Sequence, residues 1–341
     1  MHATLFDIDV RHYTTFGISA RASALAVYDN IAGLREIADD ESLPRPFKAI
    51  GSGSNLLFTS DFSGTLLLSR IMDLEFESSP ENPDTILVRA GAGLEMDYLI
   101  DKTVDSHLWG MENLSGIPGT VGASAVQNVG AYGVEAADII EKAEVFDLEE
   151  RRIKTLSNSE MRFAYRHSIF KEPQAKDRYI VLFVTFRLSI SKQPKLRYGA
   201  LRNLSESDVT PADVRDEVIR LRDSKLPSVN KYGSAGSFFK NPVINRNHFA
   251  KIRLENPDTE VPCYDVDDDS VKIPAAWLID RCGLKGKQIG GAAVWPSQPL
   301  VIYNASGNAS AGDVVNLCND IVDNVSRRFD ITLQPEVEFI H

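Results

Sequence analysis

Between residues 110 and 133 the chain reads GMENLSGIPGTVGASAVQNVGAYG, six glycines in twenty-four residues. That density is several times the ~7% background of ordinary proteins. It disfavours regular helix and strand, while it permits positive φ and a close approach of backbone to a ligand. The interleaved apolar residues argue against a loose tether. The stretch is therefore expected to be a folded binding surface, and the rest of the chain must supply a rigid frame for it.

At 341 residues the chain is long enough for two or three units of ordinary domain size. Its 43% hydrophobic and 25% charged residues are those of a globular protein. No run approaches the ~20 apolar residues of a membrane span, so no membrane partner is expected. The first residues, MHATLFDIDVRHYTTFG, carry acids and lack the apolar core of a secretory signal, which points to the cytoplasm. Thirty-seven basic residues stand against 48 acidic ones, a net charge of -11. That balance repels a phosphate backbone, so no nucleic-acid partner is expected, and a phosphorylated ligand would need a locally basic pocket. Cys263, Cys282 and Cys318 form no C-x-x-C pair, fit a reducing compartment and read as packing residues. The six histidines are scattered without ligand spacing, so no metal is expected.

Segments upstream of the glycine stretch alternate strand and helix. A helix is predicted over residues 30–38, then a strand over 47–50 stopped by Gly51-Ser52-Gly53. A strand at 85–88 leads into Gly91-Ala92-Gly93, followed by Met96, Leu99, Ile100, Thr103 and Val104 at helical spacing, with Gly110 as the stop. Residues 143–148 and 179–188 read as strands flanking RFAYRHSIF in one sheet. Thr210-Pro211-Ala212-Asp213 opens a helix with the stripe Val214, Val218, Leu221. Continued at about 100° per residue, that stripe carries Lys225 inward and Arg222 to its edge. Two inward cations require an anionic partner. Helices over 274–282 and 312–329 and strands over 290–294 and 299–303 complete an α+β third unit.

The turn Gly51-Ser52-Gly53-Ser54-Asn55-Leu56 lacks the third glycine of a dinucleotide-binding Rossmann turn and the Gly-Lys-Ser/Thr of a P-loop. What remains is a nest of backbone N–H groups with short hydroxyl and amide side chains, suited to a pyrophosphate.

Ten segments, in order along nearly the whole chain, resemble the MurB family of UDP-N-acetylenolpyruvoylglucosamine reductases. They are YTTFGI, AIGSGSNLL, VRAGAG, GMENLSGIPGTVGASAVQNVGAYG, FAYRHSIFK, RYGAL, RDSKLP, GSAGSFFKNP, AAWLIDRCGLKGKQIGGAAV and QPEVEFI. The resemblance implies an α+β fold of the vanillyl-alcohol oxidase type. Two FAD-binding subdomains would span residues 1–72 and 73–226, and a substrate-binding domain 227–335, with 336–341 returning to the first. It implies non-covalent FAD, NADPH as co-substrate, UDP-N-acetylglucosamine enolpyruvate as substrate, and a monomer. FAD would be held by Gly51, Ser52, Gly53, Ser54, Asn55 and Leu56, by Ser115, Ile117, Pro118, Gly119, Gly122, Gln127, Asn128, Gly130, Ala131 and Tyr132, and by Arg222.

By the same resemblance Ser237 is the proton donor, Arg166 faces the enolpyruvyl carboxylate with Tyr165 alongside, and Glu336 shares in proton delivery. Lys225, Asn241 and Gln298 would contact substrate phosphates or uridine. Tyr198 marks the subclass whose mobile tyrosine loop closes over the sugar diphosphate. Two other functions fit the same fold: a flavin-dependent alcohol oxidase, and a non-catalytic binder of flavin or nucleotide sugar. The joint presence of Arg166, Ser237 and Glu336 argues against the second.

Overall fold

The run YIVLFVTFRLS, rich in β-branched and aromatic residues, forms the eleven-residue strand Tyr179–Ser189 at the centre of a five-stranded sheet. The computed structural model describes residues 2–228 and 231–341. It separates into one unit containing residues 2–8, Ala22–Ser52 and Phe62–Ser224, and another containing Asp9–Arg21, Gly53–Asp61 and Lys225–His341.

In the first unit the sheet runs Arg152–Ser157, Ile140–Asp147, Tyr179–Ser189, Thr85–Gly91, Leu74–Ser78, with every neighbouring pair antiparallel. The central strand is buried on both faces because each has a cover. Val184 and Phe186 pack with Leu99 and Ile100 of the helix Met96–Asp105 and with Val121 and Ala125 of the helix Val121–Gln127. Ile180 and Leu182 pack with Tyr28, Leu34, Ile37 and Leu67. Those last residues belong to a second sheet and its helix: Arg21–Tyr28 and Phe47–Ile50 both lie parallel to Phe62–Ser69. A parallel pair needs a crossover, and Ile31–Asp39 supplies a helix for it, started by the Asn30 side chain accepting from Gly33 N at 2.8 Å. The helix Pro211–Lys225 buries Val214, Val218 and Leu221 against Trp109, Leu201 and Val209.

The second unit is organised by the helix Ala311–Phe329, opened by a reciprocal capping box between Ser310 and Asp313. Its predicted stripe, Val314, Leu317, Cys318, Ile321 and Val325, is buried, in one core with Leu278 of the helix Ala275–Arg281 and with Ala292, Val294 and Ile302. The last three lie on Ala292–Val294 and Val301–Asn304, central strands of a sheet completed by Gly233–Ser237 and Gln288–Ile289. Separately, Glu338–Ile340 pairs in parallel with Leu56–Phe58.

Three expectations are corrected. The helix from Met96 ends at Asp105, not at Gly110, because His107 takes φ +57 and turns the chain first. The glycine stretch does contain regular structure, the helix Val121–Gln127. Its seven residues hold a single glycine, while the flanks hold the rest, so average density hid a local helix-forming run. Cys263 is exposed rather than packed, while Cys318 is buried and Cys282 partly so. Among the described residues no helix is long and apolar enough to cross a membrane.

Shortening Leu317 to Ala removes a fully buried side chain and is expected to cost about 2–5 kcal/mol, read from the urea unfolding of the second unit. A second prediction concerns Asp147, whose side chain has no exposed surface. Burial alone would raise its pKa, but hydrogen bonds from Arg178, from Lys154 and from the amides of Glu149 and Glu150 outweigh that and hold it well below the usual range. A depressed folded pKa gives stability that is complete above the unfolded value, about 3.9, and is lost as pH falls below it. The stability gap between wild type and Asp147→Asn should therefore narrow as pH falls from about 5 to about 3. A gap constant across that window would remove this carboxylate from the acid response.

Candidate functional site

The candidate residues fall into two groups, one in each unit. In the first unit, Gly51 ends its strand against the start of Val121–Gln127, where a Cβ at Gly51 would come within 2.7 Å of Thr120 Oγ1. Thr120 caps that helix, its hydroxyl oxygen accepting from Ala123 N at 3.4 Å. Gly122 passes so close to Ala92 that a Cβ would meet its methyl at 2.9 Å. Ser52 and Gln127 are partly exposed, Ser115 is buried, and Ile117, Pro118 and Gly119 carry the chain between them, Pro118 being exposed. The glycines here are thus required by packing of protein on protein, which brings the strand end and the helix start together.

Past the helix, Asn128 takes a left-handed φ of +45 as its cap, an orientation asparagine tolerates. Its amide is fully buried and spent three ways: Nδ2 donates to Glu135 Oε2 at 2.8 Å and to Ala164 O at 2.9 Å, and Oδ1 accepts from Ala137 N at 2.9 Å. Gly130–Ala131 then pairs with Val134–Glu135 through Tyr132 and Gly133, both at positive φ, as a tight two-residue hairpin needs. Ala164 belongs to the turn carrying Tyr165 and Arg166. Arg166 sits at φ +55 between the mutual hydrogen bonds of Ala164 and His167 and reaches Gly130 O with Nη2 at 2.7 Å. Its guanidinium lies 5.3 Å from the ring of Tyr165. Thus Asn128, Gly130, Tyr165 and Arg166, 38 positions apart at the extremes, form one hydrogen-bonded cluster.

Arg222, predicted at the edge of its helix stripe, is half-buried and donates from Nε to Gly116 O at 3.1 Å. Gly116 N in turn donates to Asp97 Oδ1 at 2.6 Å, and Asp97 holds Arg215 through both oxygens at 2.6 and 3.0 Å. Burial works against the Asp97 carboxylate, yet Arg215 and the Gly116 amide keep its pKa below the usual range. Burial lowers the pKa of Arg222, and among the described residues its two terminal nitrogens meet no hydrogen-bond acceptor. Lys225 does not lie on the inward stripe as expected. It is exposed, because the apolar floor formed by Trp109, Leu201 and Val209 ends under Leu221 and Lys225 is the last residue of the helix. Of the two cations predicted to face inward, Arg222 alone does so, and its hydrogen-bond partner is a carbonyl rather than an anion.

Tyr198 is 42% exposed and meets the ring of Tyr132 edge-on, 5.7 Å between centroids. Both rings lie on the first unit's side of the chain's division.

In the second unit, Ser237 is the exposed last residue of Gly233–Ser237. Gly236 at φ +69 and a shift in register against Val301–Asn304 turn it out, while Phe238 and Phe239 behind it are fully buried, ring to ring at 5.3 Å. The segment after Ser237 is bridged by the C-terminal chain: Glu336 N donates to Phe238 O at 2.8 Å, and Lys240 N to Gln334 O at 2.9 Å. Asn55 clamps the same chain, donating from Nδ2 to Glu336 O at 3.1 Å and accepting from Glu338 N at 3.0 Å. Ser237 and Glu336 are brought together as backbone neighbours. Gly53 is fixed beside them, since a Cβ there would come within 2.1 Å of Tyr13 O. Ser54 and Leu56 complete this half of the turn, both partly buried.

Asn241 has a structural task, its Oδ1 accepting from Ala275 N at 2.9 Å to cap a helix whose own cap position is Pro274. Gln298 has a buried Oε1 that meets no hydrogen-bond partner among the described residues. Sequence reasoning missed two contributors. Asp97 carries the Gly116 loop, and Asn113 donates to the carbonyls of both Tyr132 and Lys195. An acid in the first turn of a predicted helix and an amide in a glycine-rich run were the visible signals, but neither names its partner.

A dinucleotide diphosphate fits what the first unit offers: a half-buried guanidinium with free donor directions beside positive-φ glycines. A family model described as an FAD binding domain matches residues 28–156, and one described as the C-terminal domain of UDP-N-acetylenolpyruvoylglucosamine reductase matches 228–340. A crystal structure titled as UDP-N-acetylenolpyruvylglucosamine reductase (MurB) from Thermus caldophilus covers 100% of this chain and 99% of its own, with a TM-score of 0.68 at 24% identity, a likeness of fold. Proteins named UDP-N-acetylenolpyruvoylglucosamine reductase are similar along their whole length. That of Bacteroides fragilis (strain YCH46) is 43% identical over 96% of this chain and 97% of its own. That of Neisseria meningitidis serogroup C (strain 053442) is 42% identical over 100% of this chain and 98% of its own. With relatives this similar over nearly every residue, an FAD-binding domain ahead and the matching C-terminal domain behind, the chain belongs to the UDP-N-acetylenolpyruvoylglucosamine reductase family.

Proposed function

We propose that this chain reduces UDP-N-acetylglucosamine enolpyruvate to UDP-N-acetylmuramate for peptidoglycan synthesis, with non-covalent FAD and with NADPH as reductant, acting as a monomer in the cytoplasm. The observation that carries the reading is the pairing of Ser237 and Glu336. An exposed serine at the end of its strand is bridged through the next residue's backbone to the C-terminal segment that bears the carboxylate, with two buried phenylalanines following it. Residues 1–72 and 73–226 would be the FAD-binding subdomains and 227–335 the substrate-binding domain, with 336–341 completing the first.

FAD, when bound, would supply the hydride chemistry between NADPH and the enolpyruvyl group. Everything else falls to side chains. Arg222 would hold a phosphate of the cofactor, along with the backbone of 51–56 and 115–132. Arg166, its orientation fixed by Gly130 O, would hold the substrate carboxylate and stabilise the negative charge that develops on it once hydride has arrived. Ser237 would pass its hydroxyl proton to the carbon bearing the ether oxygen. A serine is a weak acid, so the step would depend on Arg166 holding the substrate carboxylate and on Glu336 sharing in proton delivery, so that the serine oxygen regains the proton it gives up. Tyr165 would flank the carboxylate. Tyr198, Lys225, Asn241 and Gln298 would meet the sugar diphosphate and uridine, and the exposure of Lys225 suits a phosphate contact better than a buried role.

Ser237→Ala should leave bleaching of the flavin by NADPH within about twofold of wild type and slow reoxidation by the enolpyruvyl UDP-sugar about 10²–10⁴-fold, measured by stopped flow. Equal losses in both half-reactions would sink the proton-donor role. Fast reoxidation by oxygen without the sugar would favour the alcohol oxidase reading. Arg222→Ala should weaken FAD retention about tenfold or more, read by fluorescence titration of the apoprotein.

A further inference from the structure

Asn113 has no exposed surface and lies in the 3-10 turn Glu112–Leu114. Its amide nitrogen gives one hydrogen to Tyr132 O at 2.9 Å and one to Lys195 O at 2.8 Å. Two carbonyl acceptors fix which end of the amide is nitrogen, since only N–H can donate to them. The oxygen end is buried without a hydrogen-bond partner among the described residues. A buried unmatched acceptor is costly, so the residue is explained by its two donors rather than by filling space.

Both acceptors lead to one place. Tyr132 stands at positive φ with its ring against Tyr198, and Lys195 lies three positions before Tyr198 in an otherwise exposed segment. The neighbouring Glu112 is buried and accepts from Gly110 N at 2.6 Å, which ties down the start of the same stretch. Asn113 thus grips the short segment by its backbone.

We propose that Asn113 is the positioning residue for Tyr198: by holding the carbonyls of Tyr132 and Lys195 it sets where the tyrosine ring waits for the sugar diphosphate. This rests on the role given to Tyr198 above. Asn113 reaches no ligand itself; it acts through the segment it anchors.

The test uses the full FAD-loaded protein with Asn113→Asp, which keeps the shape but turns both donors into an acceptor facing two carbonyls, and with Asn113→Ser, which can keep one donor. For Asn113→Asp, KM for the enolpyruvyl UDP-sugar should rise about tenfold while kcat and NADPH-driven bleaching change less than about threefold. Trypsin cleavage after Lys195 and Arg197 should speed up about tenfold or more, with Asn113→Ser between the two. Adding Asn113→Asp to Tyr198→Ala should raise KM no further. Loss of FAD and of both half-reactions together, unchanged cleavage, or a further full rise in KM in the double variant would each overturn the proposal. If Tyr198→Ala leaves KM unchanged while Asn113→Asp still exposes the segment, the anchor stands and the diphosphate role of Tyr198 falls.

Discussion

The buried amide of Asn128 is the constraint on which the first unit's candidate site depends. One side chain closes the end of a helix, fixes the hairpin through Glu135 and Ala137, and holds the Ala164 carbonyl of a turn thirty-six positions later. Asn128 itself is fully buried, so breaking any of these bonds would leave one of its polar atoms unmatched. Gly130 follows because its carbonyl must meet Arg166 and its missing side chain leaves room for that guanidinium, which would stand 3.0 Å from a Cβ. Ser168 adds a second tie, from its hydroxyl to Val126 O at 2.6 Å. A flexible-looking sequence is in this way made rigid by buried polar groups as well as by the apolar core that takes in Met111, Leu114, Val121 and Ala125.

The second unit reaches comparable order by different means. Ser237 is aimed by what is packed behind it: two buried phenylalanines with tilted rings and a bridged C-terminal segment. The Asn55 clamp on residues 336–338 joins this segment to the second half of the turn at residues 51–56, and Leu56–Phe58 extends the join into parallel pairing. Backbone hydrogen bonds and packing therefore do the positioning.

Much of this was legible beforehand where one physical signal dominated. The 3.6-residue stripe from Val314 to Val325 and the β-branched run at Tyr179–Ser189 are both single-period patterns, and both form as read. The failures share a cause. Lys225 continues a helical period, but a period says nothing about where the opposing surface stops. The helix Val121–Gln127 was hidden because glycine at 122 serves contact with Ala92, a tertiary demand that composition cannot distinguish from flexibility. Asn241, read as a ligand residue by resemblance, also has a task the sequence does not show, its Oδ1 capping a helix that begins thirty-four positions on. Partners distant in sequence decide such polar roles.

The parallel pairing of Glu338–Ile340 with Leu56–Phe58 also has a consequence for biosynthesis. A ribosome delivers residues 56–58 long before 338–340, and no local segment can stand in for the missing strand. The Asn55 clamp and the bridge behind Ser237 wait for the same residues. Contacts of such long sequence separation form late and slowly. Residues 56–58 thus leave the ribosome as an unpaired edge in need of protection until residues 338–340 follow, and Ser237 and Glu336 become backbone neighbours only then.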